Sequence, residues 1–162
     1  EKAVQRILLA RENKERIFVF GDYDVDGTNG TAMLSTFLIS IGCDVAYFVP
    51  DRITEGYGVS ISGIKKGKDL GATVLLTVDC GVTAVEQVDA ANALGFDVII
   101  CDHHKPGETL PRAYALLDPL KEGCSYPYKY LCGTGVGFKF IQGICEKIFA
   151  TPLEREEKLK EY

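Results

Sequence analysis

Residues 17–27 read IFVFGDYDVDG. Four apolar residues follow one another without polar alternation, then a glycine and three alternating aspartates end the run. A strand that is apolar on every residue is buried on both faces, the condition of a parallel strand covered by helices. The pattern recurs down the chain. Residues 73–78 (TVLLTV) run into Asp79, residues 97–101 (DVIIC) run into Asp102, and residues 44–49 (DVAYFV) and 114–117 supply two further strands. Helical stretches separate them, at 2–14 with Val4, Ile7 and Leu8 on one face, then at 31–41, 60–70, 83–94 and 136–149. This alternation predicts an α/β fold: a mostly parallel sheet of about five strands with helices on both faces.

The remaining composition agrees with one packed domain. The chain has 162 residues, 46% hydrophobic and 25% charged, enough apolar matter for a core and too much for disorder. Its net charge of −5 shows no basic surplus of the kind that marks a general nucleic-acid binder. No apolar run reaches the roughly 18 residues of a membrane span, and no charged-then-apolar leader opens the sequence. A cytoplasmic location is the expectation. Six cysteines occur without a C-x-x-C pair, in or beside apolar runs, and read as reduced thiols.

The sequence starts at Glu1 and stops at Tyr162, soon after a helix start at Thr151-Pro152-Leu153-Glu154 with the residues of a capping box. The expected organisation is a core over 1–150 and the start of a following helix over 151–162, in a piece of a longer protein.

Ligands of an open parallel sheet bind beyond the C-terminal ends of its strands. Those ends carry Asp22, Asp24 and Asp26, then Asp79, then Asp102, His103 and His104, which include both histidines of the chain. Carboxylates so crowded repel one another unless protonated or neutralised. Two divalent cations would neutralise them, and a mixed carboxylate and imidazole set suits Mn²⁺ or Mg²⁺. A metal pair about 4 Å apart is a standard device for hydrolysing phosphate esters.

Two other readings of residues 22–27 fail. A calcium EF-hand loop needs a Glu at its twelfth position, which is Met33, and a helix before it, where a strand stands. A haloacid-dehalogenase-type phosphatase, with Asp24 as nucleophile, leaves the adjacent histidines without a role.

The strings GDYDVDG, VDCG and CDHH resemble, in order and spacing, the first three motifs of the DHH phosphoesterase superfamily. VPDRITEGYGVS, DHHKPGETLP, LLDPLKEGCSYPYK and CGTGVGFK are similar to its RecJ branch, bacterial single-strand-specific 5′→3′ DNA exonucleases, over roughly residues 15–148. The resemblance implies that Asp22 and Asp24 bind one metal, that Asp79 bridges, and that Asp26 and His103 bind the second. It implies that Asp102 orients the imidazoles and that His104 acts on the scissile phosphate. Arg52 and the glycine-rich entry at Gly133 and Gly135 would face substrate phosphate. The superfamily's fourth motif, a further aspartate within a string like GTIADV, has no counterpart here, and Asp118 in LLDPL is not taken as its substitute. The DHHA1 domain would follow that motif.

The implied activity, in the parent protein, is two-metal phosphodiester hydrolysis on single-stranded DNA in repair and recombination; this piece, without the fourth motif, is expected to be inactive or weak. A single-stranded-DNA-binding protein is the implied partner, and no membrane is involved. The alternatives are a DHH phosphodiesterase for short oligonucleotides or cyclic dinucleotides, and a non-catalytic DHH scaffold that binds a replication or repair partner.

Overall fold

The computed structural model describes residues 1–53 and 56–162. Thr54 and Glu55, within the RITEGYG string, lie outside them. Every apolar run is a strand: β1 Arg16–Gly21, β2 Asp44–Phe48, β3 Ala72–Val78, β4 Asp97–Cys101 and β5 Ala115–Leu117. They form one sheet in the order β2-β1-β3-β4-β5, parallel throughout. The helices are α1 Lys2–Asn13, α2 Val25–Ser40, α3 Ile61–Asp69, α4 Val85–Ala93, α5 Gly133–Ile148 and α6 Pro152–Leu159.

Alternate strand residues serve opposite faces. Ile17, Val19, Val74, Leu76 and Ile99 bury against α1, α2 and α5. Phe18, Phe20, Leu75, Val98 and Ile100 bury beneath α3 and α4. Each such side chain contributes about 1.5–3 kcal/mol of hydrophobic free energy. Two covered faces explain why the strands are apolar at every position.

Two helices start earlier than their periodicity predicts. The segment before Thr31, VDGTNG, is a poor helix former, yet α2 begins at Val25. Asp24 caps it, its Oδ1 accepting from the Gly27 amide at 2.9 Å. Gly27 is a helix residue and not a turn residue. It lies inside the helix, packed so closely on the Asp22 backbone that a Cβ has no room. Likewise α5 begins at Gly133, not Val136, with Cys132 as its N-cap. Tertiary contacts override local propensity at both starts. The α6 start agrees with the sequence: Thr151 and Glu154 form a complete capping box.

The register brings four aspartates into line. Gly21 pairs with Val78, Val78 with Cys101, and Cys101 with Leu117. The next residues, Asp22, Asp79, Asp102 and Asp118, therefore form one row across the C-terminal edge of the sheet, and all four are buried. The strand order reverses between β1 and β3, which opens a crevice at that edge. At the opposite edge the buried Arg6 joins α1 to the strand starts. Its Nε is 2.6 Å from Asp97 Oδ2 and its Nη2 is 2.6 Å from Glu15 Oε2, while Thr73 donates to the same Glu15 oxygen. The six cysteines are free. Among the described residues, no helix is long and apolar enough to cross a membrane.

Candidate metal centre

Asp22 leaves β1 buried, its Oδ1 accepting from the Tyr23 amide at 2.8 Å. Burial pushes its carboxyl above the ordinary range, and the charge of Asp24 adds to the rise. Asp24 is exposed at the mouth of the crevice. Asp79 follows β3 with φ +62°, a left-handed conformation that a non-glycine residue adopts at a cost. Its amide donates to Cys101 O at 2.9 Å, extending the β3–β4 ladder by one bond before the chain turns.

The Asp79 carboxylate is the focus of the site. Burial first, then the charges of Asp26 and Asp24, raise its pKa to about 8. Its Oδ1 lies 3.0 Å from His103 Nε2, yet the geometry is not that of a hydrogen bond, and this buried oxygen has no hydrogen-bond partner among the described residues. An orphaned carboxylate oxygen facing an imidazole nitrogen leaves a place for a cation between them.

Asp26 is held from the far side of the crevice. Its Oδ2 accepts from the Gly133 amide at 2.7 Å and its Oδ1 from the Thr134 amide at 2.8 Å, while the Thr134 hydroxyl donates to the Asp26 carbonyl at 2.8 Å. Burial pushes this carboxyl up, but the Thr134 and Gly133 amides outweigh it and hold it below the ordinary carboxylate range. Two free amides at the start of α5 thus anchor the carboxylate. This contact is the part of the site that sequence reasoning missed. The available signal was a glycine-rich helix start, whose unpaired amides require an acceptor.

In the glycine-rich entry, expected to face substrate phosphate, the Gly133 amide donates to Asp26 and the Gly135 amide donates to Cys132 Sγ at 3.3 Å as part of the helix cap.

Asp102 gathers the third motif. Its Oδ1 accepts from the His103 amide at 2.7 Å, the His104 amide at 3.2 Å and His104 Nδ1 at 2.8 Å, and its Oδ2 accepts from the Val82 amide at 2.8 Å. Asp102 therefore orients the ring of His104 and only the backbone of His103. With Nδ1–H directed at Asp102, the His104 Nε2 is free. A cleft of about 420 Å³ opens beside it, lined in part by Tyr57, Thr83, Gln87 and Lys105. Arg52 lies across the crevice with its guanidinium carbon 5.4 Å from the centre of the Tyr23 ring.

Among the described residues, two sets of side chains offer ligand atoms within 4.8 Å of one another: Asp22, Asp24 and Asp79, and Asp79, His103 and His104. Asp79 belongs to both. The first set is the trio expected for one metal. In the second, His104 stands where Asp26 was expected, because the amides of α5 draw the Asp26 carboxylate aside, leaving Oδ2 3.6 Å from His103 Nε2. Asp118 belongs to neither set; its Oδ1 accepts from the Leu120 amide at 2.6 Å. The donors are carboxylate and imidazole, Asp79 Oδ1 among them under-satisfied, and they suit hard or borderline divalent cations such as Mn²⁺ or Mg²⁺.

Comparison with known proteins identifies the family of the fold. Residues 16–161 match the family model described as DHH family, N-terminal domain. The chain is 40% identical over 144 residues to the single-stranded-DNA-specific exonuclease RecJ of Bacillus subtilis, covering 89% of this chain and 18% of that protein. It is 41% identical over 139 residues to RecJ of Escherichia coli, covering 85% of this chain and 24% of that protein. The chain thus spans about a fifth to a quarter of the curated relatives it matches. A crystal structure of exonuclease RecJ bound to manganese superposes with a TM-score of 0.84 at 34% identity, covering 97% of this chain and 40% of that one. RecJ of Thermus thermophilus in complex with Mn²⁺ superposes with a TM-score of 0.76 at 30% identity, covering 97% of this chain and 22% of that one.

Proposed function

The chain belongs to the DHH family, and on that premise we propose that it is the metal-binding core of a RecJ-type enzyme that hydrolyses phosphodiester bonds of single-stranded DNA. The observation that carries the reading is the shared carboxylate. Asp79 takes part in both ligand sets and keeps one buried oxygen without a donor. Asp22, Asp24 and Asp79 would hold one Mn²⁺ or Mg²⁺, and Asp79, His103 and Asp26 the second. A bound pair would supply positive charge to the scissile phosphate and lower the pKa of an attacking water.

The protein's own groups do the rest. Asp79 sits at a rigid strand end, bonded through its amide to β4, and sets the spacing between the two halves of the site. Asp102 fixes the tautomer of His104, so that Nε2 is the atom that stabilises charge on the phosphate or hands a proton to the leaving oxygen. Arg52, stacked on Tyr23, is placed to meet a substrate phosphate at the mouth. The cleft beside His104 gives a nucleotide room to leave.

In this reading residues 1–150 are the DHH core, and 151–162 lead toward the rest of the enzyme. A single-stranded-DNA-binding protein is the partner to test by co-purification. The direct experiment is a calorimetric Mn²⁺ titration combined with a nuclease assay on single-stranded DNA. Metal binding that disappears in Asp79→Ala, together with release of 5′-mononucleotides, supports the function. Wild-type metal affinity in that variant refutes it.

A further inference from the structure

The segment from Asp118 to Cys132 joins the end of β5 to the cap of α5, and so runs along the sheet edge on the β4–β5 side of the metal centre. It is braced from within. Lys129 Nζ donates to the carbonyls of Pro119 and Cys124, each at 2.8 Å, and Lys121 Nζ donates to Leu116 O at 2.9 Å. Leu131 packs against the core. The cation of Lys129 is thus turned inward, while the rings on either side of it are turned outward. Tyr130 is 84% exposed and Tyr128 is 54% exposed, with ring centroids 5.8 Å apart in an edge-to-face contact. The contact leaves ring faces open to solvent. Gly133, three residues beyond Tyr130, donates to Asp26 and lies against Asp79. Three residues span at most about 11 Å.

We propose that Tyr130, supported by Tyr128, is a stacking platform for a base of the single strand close to the scissile phosphate. The inference rests on the nuclease reading above. A chain of net charge −5 with a carboxylate cluster at its centre gains little from attracting phosphates at a distance. An open tyrosine face adds a grip on the bases that does not read sequence. Bases within a duplex are already stacked on one another, so the same platform discriminates in favour of single strands.

The chain contains no tryptophan, so Tyr130→Trp provides a lone fluorescent reporter at this position. Its emission should be quenched by a short oligothymidylate and not by an abasic strand of the same length. In Ca²⁺, with a labelled oligothymidylate, Tyr130→Ala should bind about 5- to 100-fold more weakly than the wild type. Tyr130→Phe should bind like the wild type. Cleavage of bis(p-nitrophenyl) phosphate, an ester that carries no base, should be unchanged in Mn²⁺ in both, as should the melting temperature, since the ring is exposed. Binding by Tyr130→Ala within twofold of wild type, or an equal loss on the abasic strand, overturns the platform. If the wild type cleaves the ester while strand binding ignores Tyr130, only the platform fails. If it neither cleaves the ester nor binds the strand, the nuclease reading fails with it.

Discussion

Gly133 stands directly against Asp79: a Cβ on the glycine would lie 2.5 Å from Asp79 Cβ and 2.6 Å from its Oδ1. The same glycine donates to Asp26. One residue without a side chain therefore lets α5 close on two of the acidic groups at once. Gly133→Ala should force either the Asp79 carboxylate or the start of α5 to move. We expect a loss of about 1–3 kcal/mol in stability, the scale of overpacking a dense site, together with weaker Mn²⁺ binding. Thermal unfolding and calorimetry with Mn²⁺ check it; wild-type metal affinity would contradict the close fit.

Asp79 itself should show opposite effects on activity and on metal-free stability. Asp79→Ala should reduce hydrolysis at least about 10³-fold, the scale of a principal catalytic group. Without metal, the folded carboxyl holds its proton to about pH 8, whereas the ordinary value is 3.8. Between those values the folded state binds a proton that the unfolded state has released, so stability falls as pH rises through that window. In EDTA, denaturant midpoints should decline from about pH 4 to about pH 8 and then level off. Asp79→Asn should flatten that decline. A profile that stays flat across the window would show the carboxyl to be ionised throughout.

The two histidines should separate by assay. His103 Nε2 faces two carboxylates, Asp79 and Asp26, whereas His104 is fixed through Nδ1 by Asp102. His103→Ala should weaken Mn²⁺ binding outright. His104→Ala should slow turnover while keeping Mn²⁺ affinity within a few-fold. Equal metal affinities in the two variants would mean that the set of Asp79, His103 and His104 is the true second site and that His104 is a ligand.

Glu15 provides a control at the opposite edge of the sheet. The hydrogen bond from Arg6 holds its carboxyl down at about 2, against burial. Its contribution is fully present above the ordinary carboxylate range and is lost as pH falls toward that value. Glu15→Gln should cost about 1.5–3 kcal/mol at neutral pH, the worth of hydrogen bonds to a charged group. The difference from wild type should shrink in acid, and Mn²⁺ affinity should not change. Altered metal binding in this variant would mean that the two edges are coupled through the sheet.

The strands and the chemistry at their ends were legible because both depend on local sequence. A largely apolar run such as 73–78 buries both its faces only in a doubly covered parallel sheet, and the aspartates after 17–21, 73–78 and 97–101 are visible by inspection. Helix starts were less legible. Local propensity argues against a helix at Gly27 and at Gly133, and only the closeness of Asp22 and Asp79 explains those glycines. The Asp26–Gly133 contact could not be read for the same reason: the partners are 107 positions apart, and their meeting depends on how α2 and α5 pack. The row of four aspartates needed the register, which no local pattern specifies.

The separation between Asp26 and Gly133 also orders events in time. Synthesis at about 5–20 residues per second puts roughly 5–20 s between the emergence of one partner and the other. Asp22, Asp24 and Asp79 all leave the ribosome before either histidine, and the amides that hold Asp26 come last. A nascent chain therefore carries its acidic cluster hydrated and unclasped through that interval, open to whichever cation reaches it first. Docking of α5 is the step that turns this loose set of carboxylates into a centre with a defined shape.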